Sequence, residues 1–341
     1  MKTRVLIVGL SIGALAVSGC VSPKIAAAQK LGVAGVEASA GLLTSATSVE
    51  SGFQESLRQD RFLRALQTQT PFVRLAPGQT PPCYIPPGPP VITAVPASSP
   101  DPAVDRVAAS LRARTNLARS LVQTYASWNS LADYDAYGQV QAGVDGVVSA
   151  ANTLRAQWNL QPISTGAGAI ASGLAGAWAS DHQAERLLSS SRDISAALKG
   201  YREALAVGAV PTVSVMSNQV GQRYDLTVAL WRRGYLDANT LVANLGLAGE
   251  LTVLPASPDL RFNAADEGTC RTIQTYLDTE KLQRIDAAAS DYQSQIDVVD
   301  ALIGLHDRFE KGDGMSIAHM DALIDRLTAI ATLLGPEEAE E

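Results

Sequence analysis

Charge and aromatic rings are both scarce in this sequence. Of its 341 residues 18% are charged and 5% aromatic, where an ordinary globular domain has about a quarter charged. Lys and Arg number 27 against 34 Asp and Glu, the formal charge is −7, and no basic stripe runs through the chain. That leaves no electrostatic footprint for nucleic acid. The three histidines, His182, His306 and His319, form no His-x-x-x-His or Glu-x-x-His arrangement. Neither a zincin site nor a di-iron bundle site can be written from them, and the reading assigns no metal and no cofactor. From residue 20 onward there is no Gly-x-Ser-x-Gly elbow and no phosphate-cradling glycine loop, so catalytic residues are assigned nowhere and the chain is read as a non-enzyme. Aromatic and β-branched residues are too few to recommend a sheet.

What is present is Ala, Ser, Gln, Leu and Val in helical spacing. Leu31, Ala38, Leu42, Val49, Phe53 and Leu57 mark one face of a helix from Pro23 to about Thr68, and Ala34-Gly35 and Ala40-Gly41 let a neighbour approach closely. Asp101-Pro102 is a cap and first-turn pair, followed by Val104, Val107, Leu111, Ala118, Leu121, Tyr125 and Trp128 on one face. The pattern blurs near Asp133 to Gly138, then Val140, Val144, Val147, Ala151, Leu154 and Trp158 step four, three, four, three, four until Asn159 to Pro162 stops them. Such a seam belongs to helices packed nearly parallel or antiparallel. Leu187, Ile194, Leu198, Tyr201 and Leu205 continue the pattern, and Pro211 is expected to break it. A further stripe runs from Val213 to Trp231, another through Ile285, Ala289, Tyr292, Ile296, Val299, Ile303 and His306, and a last one from Ile317 to Leu334 behind a Ser316 cap. The fold class is therefore all-α, an elongated antiparallel bundle of five to seven helices.

Two stretches depart from this pattern. Residues 71–102 hold eleven of the seventeen prolines and read as an extended, stiff linker rather than a ligand for another protein. Gln157 to Ser180 carries no charge. It is expected to pack closely through Gly, Ala and Ser, with a membrane-inserting hairpin as the sharper alternative.

The start of the chain carries an address. Lys2 and Arg4 precede an apolar and small-residue run from Val5 to Val17, ending in Val17-Ser18-Gly19-Cys20. The run is too short to span about 30 Å of hydrocarbon, which takes roughly 20 helical residues, and has the form of a secretion signal. It resembles the lipobox of bacterial lipoproteins. The resemblance implies removal of residues 1–19, lipid attachment at Cys20 and anchorage in the cell envelope. Val21 stands where inner-membrane lipoproteins of enteric bacteria have Asp, so the implied address is the outer membrane, facing the periplasm. Loss of Lys2 and Arg4 takes the formal charge from −7 to −9. An oxidising compartment and an even remainder of cysteines then suggest that Cys83 pairs with Cys270.

The domain reading is a signal over 1–19 and one helical domain over 20–341, with the proline linker at 71–102 and an acidic tail at 336–341. Lys311-Gly312-Asp313-Gly314 lacks the alternating acids of a calcium loop and reads as a helix-hairpin turn. Asp297 with Asp300, and Asp321 with Asp325, read as solvated helix faces. The expected function is that of a membrane-anchored, non-enzymatic structural or protein-interaction module with an envelope protein partner. The alternatives are a helical membrane-perturbing protein and a binder of a small hydrophobic ligand.

Overall fold

In the computed structural model the described residues are 23–68, 101–133, 137–163, 180–232, 267–313 and 318–334. They form six helices: α1 Pro23–Thr68, α2 Pro102–Asp133, α3 Tyr137–Gln157, α4 Ser180–Arg232, α5 Glu267–Lys311 and α6 Ala318–Leu334. No strand occurs among the described residues, and the all-α bundle is established. The signal, Cys20, Cys83, nearly all of the proline-rich segment, residues 164–179, Ser316 and the acidic tail lie outside the described residues.

Neighbour relations give two layers of three helices. α1 packs on α2, α4, α5 and α6; α3 packs on α2 and α4; α5 packs on α4 and α6. The arrangement is α2–α1–α6 laid over α3–α4–α5, with α1 and α4 in the middle of their layers. Directions follow from individual contacts. The Trp128 indole N–H donates to the Ala28 carbonyl at 2.9 Å while Arg112 reaches Glu50 at 3.8 Å, so α1 and α2 are antiparallel. Ser191 meets His306 and Lys281 meets Asp225 at 2.8 Å, so α4 and α5 are antiparallel as well. One apolar core fills the bundle from Ala28 to Leu42 and a second, around Val49, Phe53, Leu111, Met216, Ala288 and Leu334, closes the far end.

The small residues of α1 do what their size allows. A Cβ at Gly35 would lie 2.1–2.5 Å from the Tyr125 ring, and one at Gly32 would lie 1.9 Å from Asn129 Oδ1. Two bulky side chains of α2 therefore rest directly on α1 backbone, which a larger residue would forbid.

Helix ends follow local chemistry. Asp101 Oδ1 accepts from Ala103 N–H at 2.9 Å, the N-cap expected there. Asn159 takes φ 55° while Leu160 N–H donates to Arg155 O, and Gly312 takes φ 75° while Asp313 N–H donates to Arg308 O. Both are left-handed C-terminal stops.

Two expectations are corrected. Pro211 does not break the helix; α4 runs unbroken for 53 residues, about 80 Å. The proline is exposed, and the carbonyl it leaves without a donor belongs to Val207, itself 47% exposed, so water can serve it while Thr212 and Met216 stay buried in the core. Pro211→Ala restores a helix bond and is expected to raise stability by about 1–2 kcal/mol, less than the full cost of a mid-helix proline because the unfolded chain also loosens. A urea midpoint equal to or below wild type contradicts this. The second correction concerns α5, whose buried centre runs through Ala288, Asp291, Gln295, Val298, Leu302, Leu305 and Phe309. Of the expected seam, Tyr292, Val299 and His306 are buried, Ile285, Ile296 and Ile303 lie at the half-buried edge and Ala289 is exposed.

Candidate functional site

Two polar clusters lie inside the bundle, each assembled from several helices. The first centres on Arg114 of α2. The seam of α2 reads Val107, Leu111, Arg114, Ala118, Leu121, Tyr125 at steps of four and three, so helical geometry turns the guanidinium inward, and it is fully buried. Arg114 Nη2 meets Asp291 Oδ2 at 2.8 Å and Nε donates to Gln295 Oε1 at 3.2 Å. Ser45 of α1 donates to Asp291 Oδ1. Gln295 Nε2 donates to Ser45 Oγ at 3.1 Å and Tyr201 of α4 donates to Gln295 Oε1 at 3.4 Å. The Tyr292 ring lies under the guanidinium, 4.3 Å from its carbon, in cation–π geometry. Burial works against the arginine charge, but Tyr292 and Asp291 beside it outweigh that and hold its pKa above the ordinary value. The guanidinium stays charged, and the pair is out of contact with water.

The second cluster centres on His306 of α5. Its Nε2 is 2.9 Å from the Tyr125 hydroxyl and its Nδ1 is 2.8 Å from Ser191 Oγ. Trp128 stands edge-on to the imidazole, with Phe309 against the same indole. Ser191 in turn reaches Glu310 Oε1 at 3.4 Å. One orientation satisfies every group: Tyr125 donates to Nε2, Nδ1–H donates to Ser191, and Ser191 donates to the Glu310 carboxylate. Burial pushes the Tyr125 pKa upward, so the phenol keeps its proton. Burial, helped by Lys199 and opposed by Asp307, lowers the His306 pKa to about 3. The imidazole is neutral near pH 7.

Serine, histidine and a third polar group in line have the outline of a nucleophilic triad. Here Ser191 and His306 are both 0% exposed, so no substrate reaches them and the chain of bonds acts as a core connection between α2, α4 and α5. The neutral histidine has a consequence for acid stability. In the unfolded chain it takes up a proton below about pH 6.5; in the folded chain it resists until about pH 3. Its contribution is complete above pH 6.5 and falls as pH drops between the two values, by about 1.4 kcal/mol per unit. The urea midpoint of wild type is expected to fall more steeply from pH 7 to pH 5 than that of His306→Gln; parallel curves count against it.

Other candidates are dispersed. His319 is exposed near the start of α6, whereas His306 is buried. Asp297 bonds to Gln293 and Arg326, and Asp300 to Arg202 at 2.7 Å; Asp321 and Asp325 are exposed. No group of three or more His, Cys, Asp and Glu suited to a metal occurs among the described residues. Cys270 is fully buried in the first turn of α5 and is not a free thiol. A shallow depression on α3, between Asp145 and Ala156, is open to solvent. None of the described helices is long and apolar enough to cross a membrane.

Arg114, Asp291 and Gln295 are what the sequence reading missed. The signal was present: Arg114 falls on the heptad step between Leu111 and Ala118, and a charge on a seam asks for a buried counter-charge. No protein-family model, curated protein or solved structure matches the chain.

Proposed function

We propose that this protein is a lipid-anchored bacterial envelope lipoprotein, held at the outer membrane and facing the periplasm, that works as a non-enzymatic structural or protein-interaction module. The observation that carries the reading is the spacing between anchor and fold. Cys20 stands three residues before Pro23, where α1 begins, and three peptide steps span at most about 10 Å. α1 packs against four other helices of the bundle, and at 46 residues it is about 69 Å long. An acylated Cys20 therefore puts one end of the bundle, formed by the start of α1 and the ends of α2 and α5, against the bilayer and directs the other end away from it.

The sealed polar clusters support a structural role, since their functional groups are committed to one another. We include a Cys83–Cys270 disulfide in the proposal. Cys270 is not a free thiol, Cys20 is assigned to lipid, and Cys83 is the remaining cysteine. A bridge over so long a loop contributes on the order of 5 kcal/mol in the loop-entropy treatment.

The membrane-inserting alternative falls on residues 164–179, outside the described residues, but the described ends limit its reach. Ile163 lies against Gly200, and α4 starts at Ser180, twenty residues or about 30 Å away along that helix. Seventeen peptide steps give about 58 Å of fully extended chain. After 30 Å are covered, an excursion along the helix axis past Ser180 and back extends about 14 Å, less than half of the hydrocarbon.

The experiment is metabolic labelling with palmitate, comparing wild type and Cys20→Ala, followed by crosslinking of intact envelopes and recovery of the anchored protein. Label in wild type alone, with one reproducible crosslinked partner, is the expected result. Equal processing and retention of Cys20→Ala removes the anchor, and recovery of the lone chain under crosslinkers of different length removes the interaction role.

A further inference from the structure

The outer face of the α2–α1–α6 layer has edges of opposite sign. Along its middle, α1 presents Ala26, Val33, Ala40, Thr44 and Thr47, all exposed and mostly small, at steps that follow a heptad. On the α2 side stand the exposed Arg119 and Arg112. On the α6 side stand the exposed carboxylates Asp321 and Asp325. The two edges are level with each other. Gly35 touches Tyr125 and Glu50 meets Arg112, so Arg119, about midway between Tyr125 and Arg112, lies beside Leu42 of α1. Gly41 touches Ile324, which puts Asp325 beside Leu42 as well.

We propose that this face is an interface with a second copy of the same chain, the two α1 helices lying parallel about a two-fold axis that runs along them. Rotation about that axis sets α2 of one copy opposite α6 of the other, bringing Arg119 to Asp321 and Asp325 twice, at matching height. A two-fold axis across the helices, which makes them antiparallel, sets α2 opposite α2 and α6 opposite α6, opposing like charges. Charge thus selects the parallel form. The anchor selects it independently: copies acylated at Cys20 in one leaflet stand the same way up. That second argument rests on the lipoprotein reading; the first does not. Small side chains along the middle of the layer allow the α1 helices to approach closely. Lys30 and Glu37, exposed one heptad apart on α1, are each brought towards their own copy by the axis, so removal of either charge strengthens the pairing.

The test places single cysteines at Ala40→Cys on this face and at Ala206→Cys, exposed on the opposite layer, in the full-length lipidated protein reconstituted in phosphatidylethanolamine–phosphatidylglycerol vesicles and treated with a short bis-maleimide. Ala40→Cys is expected to yield a covalent dimer and Ala206→Cys is not. Adding Arg119→Glu lowers the dimer yield roughly tenfold, and combining Arg119→Glu with Asp321→Arg and Asp325→Arg restores it. Lys30→Ala raises it. Vesicle flotation scores anchorage in the same samples. Protein that floats but gives no Ala40→Cys dimer overturns the interface and leaves the anchor standing; protein that fails to float overturns the anchor. In soluble Cys20→Ala protein at high concentration the Ala40→Cys crosslink and its Arg119 dependence are still expected on charge alone, and their absence there also overturns the interface. Equal crosslinking at Ala40→Cys and Ala206→Cys means random collision and overturns it too.

Discussion

Asp291→Ala is expected to lower the stability of the bundle by about 3–5 kcal/mol, read as a fall in the urea midpoint at unchanged slope. The loss does not measure what the ion pair contributes. It arises because Arg114, fully buried, is left charged with no carboxylate, only Gln295 Oε1, the Tyr292 ring and the Tyr201 hydroxyl beside it. Nη1 of that guanidinium already has no hydrogen-bond partner, so the site has little slack to absorb a second unsatisfied donor. Replacing both ends, Arg114→Met with Asp291→Leu, removes the two desolvated charges together. It leaves Gln295 bonded to Ser45 and Tyr201, and is expected to recover most of the loss or exceed wild type by about 1 kcal/mol. A loss under 1 kcal/mol for Asp291→Ala alone means water reaches the pair and the burial argument is wrong.

Trp128→Ala is expected to cost a similar amount, about 3–5 kcal/mol, for a different reason. The indole is completely buried, donates to the carbonyl of Ala28 at 2.9 Å, and stands edge-on to His306 and Phe309. It joins α1, α2 and α5 at the end of the bundle nearest Cys20. Removing it opens a cavity between three helix ends that the Gly32 and Gly35 contacts hold close to α1 backbone, so collapse into the space is restricted. Trp128→Phe keeps most of the volume and loses the hydrogen bond, with an expected cost of about 1 kcal/mol or a little more. Hydrogen exchange separates the two substitutions: Trp128→Ala should deprotect the amides of residues 25–35 selectively, and uniform loss of protection across all six helices counts against a local role at this end.

The two largest effects fall on residues that sequence reading treated unequally. Trp128 was legible because it closes an apolar stripe at helical spacing, as were Val140, Val144, Val147, Ala151 and Leu154 of α3, every one of them buried. In these segments the apolar side chains are also the central ones, so counting by three and four finds the face that packs. In α5 the count found one side of the buried face, Tyr292, Val299 and His306, and missed the other. The long apolar side chains Ile285, Ile296 and Ile303 reach the core from its edge, and the centre is occupied by Asp291 and Gln295, which no hydrophobicity pattern selects. Their burial is made acceptable by Arg114, 177 positions away from Asp291, and by Ser45, 250 positions away from Gln295. Pro211 shows the converse: a strong local rule gave way because helix on either side packs against the same neighbours and the unmet carbonyl faces solvent.

The amino-acid order alone settled that this chain is helical and where most helices start and stop. Apolar spacing, the Asp101 cap and the left-handed stops at Asn159 and Gly312 are properties of a few consecutive residues. Which helices are neighbours, which polar groups lie inside, and the presence of opposite charges at one height on a single face were decided by the tertiary structure. Those depend on side chains far apart in the chain meeting across a dry interface, where an ion pair is stable and a lone charge is not.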